Sequence, residues 1–501
     1  MKAEKPTLVI AGAGSGKTTN MVKKIVESLP ELEPYRFLAA ITYTNAAANS
    51  IKERLSQHTK IPANVFVGTI DAFFNKFLIL PYATLHDITQ VDKLFIELNI
   101  ETIAKEKFGT DFKNKNGYKK NLLNSLLKKG VIPFSQISEI AEKLIVIKEI
   151  QELVGKRLQF LFVDEFQDTN IQEFKVFDKI HKAEKTKLYK VGDAEQYIMS
   201  FRFNLEGNKA PLLPKIPIIQ HQKKFNLLPN LDNNRCSHQI TTFINNFNTQ
   251  LQQEARFSTV EKNGVFFISH TDLLTISNTF KEKTEIWKDE PDFKRFYLAY
   301  SFKSEPFKSL PNQLGLIQIS NESKKTHHLL SEVIHIITKI VGLNSKQICE
   351  KYNINTIQLR TLAIKIWKKD FVDFNEFKTY FEQDLALHIS TEEGSDAEKF
   401  FDDLQNLKII PTIQQQTEYT TTIHKSKGLE ATCVLVVAKT NNELTHWLET
   451  DKEKRLKDKN DTKRLGFVAF SRAKTALYIA CLEELSKTNK NKLMELKVAT
   501  I

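Results

Sequence analysis

Four segments, 8–11, 37–43, 158–163 and 188–191, are rich in Val, Ile, Leu and Phe, too short for helices and bounded by turn residues. Between them, 45–57 and 171–181 place apolar residues at helical spacing. Short continuous apolar runs alternating with amphipathic helices predict an open, mostly parallel α/β sheet. After Pro229 the strand pattern returns at 264–269, 295–300, 432–438 and 476–480, which predicts a second α/β domain. Two stretches read as helical instead: 85–157, with helices expected at 91–107, 119–129 and 135–154, and 322–408, with helices expected at 327–341 and 357–368.

The 501 residues, 41% apolar and 26% charged, have the composition of a folded chain of several domains. The excess of basic over acidic residues, 72 − 60 = +12, favours a polyanionic partner such as nucleic acid or a membrane surface. Four widely spaced cysteines form no CxxC, which disfavours zinc, iron–sulfur and disulfide frameworks. The start, MKAEKP, runs straight into the first strand rather than into a leader, and no apolar run approaches a bilayer span; a cytoplasmic location is expected. Two charge runs stand out. Residues 113–129 hold six Lys and no acid, with Phe112 and Tyr118 beside or within them, and form either a track for nucleic acid or a solvated helix face. Residues 451–464 hold seven basic and four acidic residues and read as a solvated loop.

The candidate chemistry begins at Ala11-Gly12-Ala13-Gly14-Ser15-Gly16-Lys17-Thr18-Thr19, between a predicted strand and a predicted helix. Small residues there let successive N–H groups curl around phosphate oxygens at a helix N-terminus. Lys17 would reach the β- and γ-phosphates and the Thr18 hydroxyl would hold Mg²⁺. Ala11 stands where the strict pattern has Gly, and the competing reading is an unrelated glycine-rich turn. The strand 161–163 ending in Asp164-Glu165 makes that competing reading weaker, since such a pair suits one acid organising Mg²⁺ and another orienting water.

Together these segments resemble the UvrD/Rep/PcrA-type superfamily 1 helicases, and further motifs follow in family order. Residues 40–45, including Thr42 and Tyr43, match motif Ia; 68–73, including Thr69, match motif Ib; 192–202, including Gln196, Phe201 and Arg202, match motif III. Asn233-Asn234-Arg235 resembles motif IV, 422–430 with His424 and Glu430 is close to motif V, and 468–473 with Arg472 matches motif VI.

The resemblance implies two RecA-like P-loop domains: 1A at 1–84 and 158–228, 2A at 229–321 and 409–501, with reduced 1B-like and 2B-like helical insertions at 85–157 and 322–408. It implies ATP and Mg²⁺ as cofactors. Lys17, Asp164, Glu165, Gln196, Arg235 and Arg472 become the hydrolytic set, with Thr18 and Asp164 on the metal, Gln196 as the γ-phosphate sensor and the two Arg as fingers from 2A. Glu430 would hold the sugar, and Arg202 would pair with the acids at 164–165. Tyr43 and Phe201 would stack on bases, Thr69 and His424 would touch the DNA backbone, and Thr42 joins the DNA set.

Departures from the family pattern carry expectations of their own. The ten residues before the loop leave no counterpart to the family's upstream Gln, and Asn234 replaces the aromatic that stacks on adenine, so weak base discrimination is expected. Asp71 stands where most members have His and Ala46 where most have Lys. Asp71, the stretch Asn233-Asn234-Arg235-Cys236 and the chain's size resemble the helicase-like subunit of Gabija antiphage systems, which implies a partner nuclease of the OLD type with an ATPase head and a Toprim domain. Three functions stand open: a 3′–5′ DNA translocase and helicase; a DNA-end or single-strand sensing ATPase that activates a nuclease; and an NTPase independent of nucleic acid.

Overall fold

Strand 158–163, Leu-Gln-Phe-Leu-Phe-Val, is buried at every position, the pattern of a strand covered on both faces, and it lies inside a six-stranded sheet. The computed structural model describes residues 5–83, 136–183, 186–200, 212–256, 263–318, 333–354, 356–369, 371–384 and 417–501, with short pieces at 95–97 and 131–133 and single residues 127, 398, 401 and 404. The sheet contains β1 (Thr7–Ala11), β2 (Phe37–Thr42), β3 (Val65–Thr69), β4 (Leu158–Val163), β5 (Lys187–Gly192) and β6 (Asn226–Asn230) in the order β3-β2-β4-β5-β1-β6. Every pairing in it is parallel, as the alternation of strands and helices predicts.

A second sheet carries β7 (Gly264–Ile268), β8 (Arg295–Ala299), β9 (Ala431–Ala438), β10 (Ala473–Cys481) and β11 (Ala499–Thr500) in the order β8-β9-β10-β7-β11, again parallel. The expected α/β class is therefore the observed one. The first sheet and these five strands of the second lie in one compact unit, Met1–Phe307 with Thr422–Ile501. The other unit, Lys308–Thr421, has its own core around Val333, Ile337, Phe377 and Phe381, and a short parallel pair matching Ile317 to Tyr419 and Gln318 to Thr420. Its bounds are wider than the expected insertion at 322–408.

Helix α1 (Lys17–Ser28) starts on Gly16, whose φ of 73° is left-handed and which supplies no side-chain cap, so the first N–H groups are left for a ligand. Helix α2 (Asn45–Ser56) is capped by the Thr44 hydroxyl. The expected helix at 135–154 is two helices, Ile137–Ile145 and Lys148–Arg157. Their Ile140, Leu144, Ile150 and Val154 share the core of the first sheet with Phe177 and Ile180 of α3 (Ile171–Lys182), so they belong to that core. Strands at Phe95–Glu97 and Val131–Pro133 pair in a region expected to be mainly helical. The helices expected at 91–107 and 119–129, and the Lys run at 113–129, lie outside the described residues. Among the described residues no helix is long and apolar enough to cross a membrane.

Candidate nucleotide site

In a parallel sheet the crevice beyond the carboxyl ends of the strands collects the loops of neighbouring strands, and here it collects the candidate residues. Ala11 ends β1 and the loop Gly12–Gly16 leads into α1. Ser15 Oγ donates to Gly12 O at 2.7 Å and Lys17 Nζ to the same oxygen at 3.3 Å, which folds the loop around its own centre. Gly14 has φ 75°, and a methyl there would stand 2.5 Å from Asn233 Oδ1 and 2.8 Å from Arg235 Cβ. Thr19 takes the Arg54 guanidinium on its hydroxyl.

Asp164 follows β4 and is 1% exposed; its Oδ2 accepts from Thr18 Oγ1 at 2.9 Å. Burial and the neighbouring Glu165 push its carboxyl up to about 6, and Thr18 and Lys17 pull against that. One hydroxyl beside one carboxylate is the small protein share that Mg²⁺ takes when phosphates and water complete its shell, so these residues fit the expected cation. Glu165 has φ 52°, a left-handed conformation that costs a non-glycine residue about 1–3 kcal/mol and occurs at functional sites. Burial pushes Glu165 up, yet Lys427 and Lys17 outweigh it and hold the group below the ordinary carboxylate range. Burial lowers the Lys17 ammonium, opposed by Asp193, Glu165 and Asp164.

From β5 the chain passes to Gln196, whose Nε2 donates to Asp193 Oδ2 at 2.7 Å, while Asp193 N donates to Gln167 Oε1 at 2.9 Å. Opposite stands Arg472, 1% exposed, at the start of β10. Its Nη2 lies 3.4 Å from Gln196 Oε1, and its Nε donates to Val468 O at 2.9 Å. Burial and Arg235 lower the guanidinium to about 9. Arg235 donates from Nε to Glu430 Oε2 at 2.7 Å and from Nη1 to Ser471 O at 3.2 Å. The hydrolytic residues expected from the sequence thus come from both sheets and meet in one place.

Several expected roles meet a different geometry. Both Glu430 oxygens are taken, Oε2 by Arg235 and Oε1 by Lys474 at 2.9 Å; burial would raise this group, but the two cations hold it at about 2. Thr42, expected on DNA, is fully buried at the end of β2 and presents no surface; a strand covered on both faces leaves its last side chain inside. Tyr43 packs on the first core and its hydroxyl donates to Glu173, which ties it to the protein. Thr69 Oγ1 accepts from Ala72 N at 3.2 Å, and the half-buried His424 ring meets Tyr300 edge-on at 5.8 Å. Phe201 and Arg202 lie outside the described residues. The cation found beside Asp168 and Glu165 is Lys427, 3.7 Å from Glu165 Oε2.

The run 451–464 is not a solvated loop: Arg455, Asp458, Asp461 and Arg464 are all buried. Mixed charges alone do not distinguish an exposed face from sealed ion pairs, and here Arg464 pairs with Asp461 within the run while Arg455 pairs with the distant, fully buried Glu195. Gln253, in no recognised motif, packs its amide against Gly12 and donates from Nε2 to Ala13 O at 3.0 Å. Asn233 caps two amides, Arg235 N at 3.0 Å and Cys236 N at 2.9 Å, which is what its place two residues before Arg235 is suited to do.

Known proteins match the chain at both ends. The UvrD/REP helicase N-terminal domain family matches residues 1–143 and 118–205, and the UvrD-like helicase C-terminal domain family matches 388–484. The chain is similar to Gabija protein GajB of Bacillus cereus, 30% identical over 295 residues, 56% of this chain and 53% of that protein. It is also similar to ATP-dependent DNA helicase Rep of Salmonella typhimurium, 27% identical over 254 residues (43% of this chain, 38% of that protein), and to Rep of Escherichia coli, 26% over 256 residues (43% and 38%). The aligned part spans about half the length of GajB and less of Rep.

Proposed function

Because this chain belongs to the UvrD-like helicase family, with both family domains matched, we propose that it is a DNA-dependent ATPase acting as a 3′–5′ DNA translocase and helicase. The observation that carries the reading is Arg472, buried and 3.4 Å from Gln196, a cation at the start of a strand of the second sheet beside a glutamine that follows the first. In a hydrolytic cycle the N–H groups at 12–17 and Lys17 would cradle the phosphates. Thr18 and Asp164 would hold Mg²⁺, which supplies charge neutralisation at the β- and γ-phosphates when bound. Glu165, kept ionised by Lys427 and Lys17, would orient the attacking water and accept its proton. Arg472 and Arg235 would meet the charge that develops on the transferred group. The requirement for groups from both sheets makes hydrolysis sensitive to how closely the sheets approach, which is how a motor converts chemistry into movement.

The likeness to GajB favours a second reading, in which the chain is the helicase-like subunit of an antiphage complex and senses DNA ends or single strands for a partner nuclease of the OLD type. ATP turnover with and without single-stranded DNA, beside strand separation on a 3′-tailed duplex, separates the two for wild type and Lys17→Ala. Stimulation with unwinding supports the helicase, stimulation without unwinding supports the sensor, and turnover indifferent to DNA refutes both.

A further inference from the structure

Glu195, the residue before Gln196, is completely buried, yet it is an acid. A buried carboxylate needs compensation, and three groups supply it. Arg455, itself 0% exposed, donates from Nη2 to Glu195 Oε2 at 2.7 Å. Thr249 donates to Oε1 from its N–H at 3.0 Å and also from its hydroxyl. The Arg455 guanidinium is oriented in turn by Glu449 O and Lys463 O, each 3.1 Å from Nη1. Just beyond, Arg464 Nε donates to Tyr197 O at 2.7 Å, and Ser200 N donates to Asp461 Oδ2 at 2.6 Å. The segment 195–200 is thus gripped by residues that follow β6 and β9 in the chain. Leu251 and Leu456, close in sequence to Thr249 and Arg455, pack on the core of the first sheet.

We propose that Glu195, clamped by Arg455 and Thr249, is the positioning residue that sets Gln196 against Arg472, so that this buried junction, and not the active-site groups alone, decides whether ATP is hydrolysed. Glu195 and Arg455 touch neither the phosphate loop nor the acids at 164–165 in any described contact. Glu195 also donates from its N–H to Asp193 Oδ1 at 3.1 Å, so its path to Gln196 runs through the turn at 193–196. A fixed turn leaves Gln196 little freedom: Gln196 N donates to Asp193 O at 3.0 Å, and its amide is held by Asp193 Oδ2 at 2.7 Å. Misplacing such a group by about 1 Å costs on the order of 10²-fold in rate without abolishing substrate binding.

The inference rests on the hydrolytic reading for its kinetic arm only. The test uses the full chain carrying Glu195→Gln with Arg455→Met, which removes both charges at similar volume and avoids leaving one buried charge alone. Two quantities are read: amide hydrogen exchange at 194–198, and kcat and KM for ATP with saturating single-stranded DNA. Exchange there is expected to accelerate at least about tenfold, with kcat falling on the order of 10²-fold and KM moving less than about threefold. Unchanged exchange at 194–198 overturns the inference whatever the kinetics, and so does faster exchange with wild-type kcat. A wild type inert toward ATP refutes the hydrolytic reading, while the exchange arm still decides whether the junction fixes the turn. Should the double variant fail to fold, Thr249→Val removes one contact to Glu195; a kcat loss of about threefold or more at constant KM is expected, and a KM change alone overturns the proposal.

Discussion

Lys427 Nζ stands 3.7 Å from Glu165 Oε2 and pairs with Asp168, so one ammonium compensates two carboxylates that lie more than 250 residues earlier in the chain. Lys427 and Asp168 are both largely out of solvent, and removing one member of such a set leaves the others uncompensated. Lys427→Met is expected to lower stability by on the order of 3 kcal/mol in urea denaturation. Adding Asp168→Asn should recover most of that loss, and a double variant no more stable than the single one would contradict the pairing.

In the proposed cycle Arg472, 3.4 Å from Gln196, would act on developing charge and not on nucleotide affinity. Arg472→Ala is expected to reduce ATP turnover at least about 10³-fold, the scale of an arginine finger. Binding of a fluorescent nucleotide should change by less than about threefold. Equal loss of binding and turnover would mean that the guanidinium holds the ground state.

Gly14 and Gly428 both have left-handed φ, 75° and 85°, but only Gly14 has neighbours within 3 Å of a would-be methyl. Gly428→Ala should cost about 1–2 kcal/mol, the backbone strain alone. Gly14→Ala adds a clash with Asn233 and Arg235, and is expected to cost more and to abolish nucleotide binding. Thermal denaturation and nucleotide titration of the two variants side by side would check this ranking.

Lys190 is buried on β5 among Phe166, Phe174 and Phe225, with its ammonium 4.3, 5.0 and 4.6 Å from their ring centroids. Burial lowers it to about 7. Between pH 7 and about 10.4 the unfolded chain therefore binds more protons at this site than the folded one, and stability rises with pH across that window. In Lys190→Met that contribution vanishes, so the melting temperature of wild type relative to the variant should climb from pH 7 to 9. A constant difference would show that the cage holds a charged ammonium throughout.

Asn234 stands beside the phosphate loop, its N–H donating to Gly14 O at 2.8 Å, and the family resemblance expects an aromatic that stacks on adenine at this position. A short amide offers no ring to stack on, so GTP and dATP should compete with ATP at affinities within about threefold. A preference for ATP above about tenfold would point to base contacts made elsewhere.

The sequence by itself determined β1, β2, β4 and β5 of the first sheet, β7 to β10 of the second and the loop at 11–18, because parallel strands covered on both faces must be continuous apolar runs and a phosphate loop must be small and glycine-rich. It missed the edge strands β3, β6 and β11, which are covered on one side at most: Leu227 and Leu228 of β6 and both residues of β11 are exposed, and β3 buries only Val67. It drew the helices at 137–157 away from a core they share, since amphipathic spacing says that a face is buried but not against what.

Only the tertiary structure decided which charges are sealed. Arg455, Asp461 and Arg464 look in sequence like any solvated run, and Glu195 like any acid of a polar turn. Arg464 and Asp461 pair with each other, but their further partners, like that of Arg455, lie up to 267 residues away, at Glu195, Ser200 and Tyr197. Tertiary folding likewise gave Lys427 to the acids at 165 and 168, and both oxygens of Glu430 to Arg235 and Lys474. Hydrophobic periodicity is local and can be read along the chain, whereas an ion pair depends on the distance between two charges and on the water removed from around them, and both are set only when the two sheets come together.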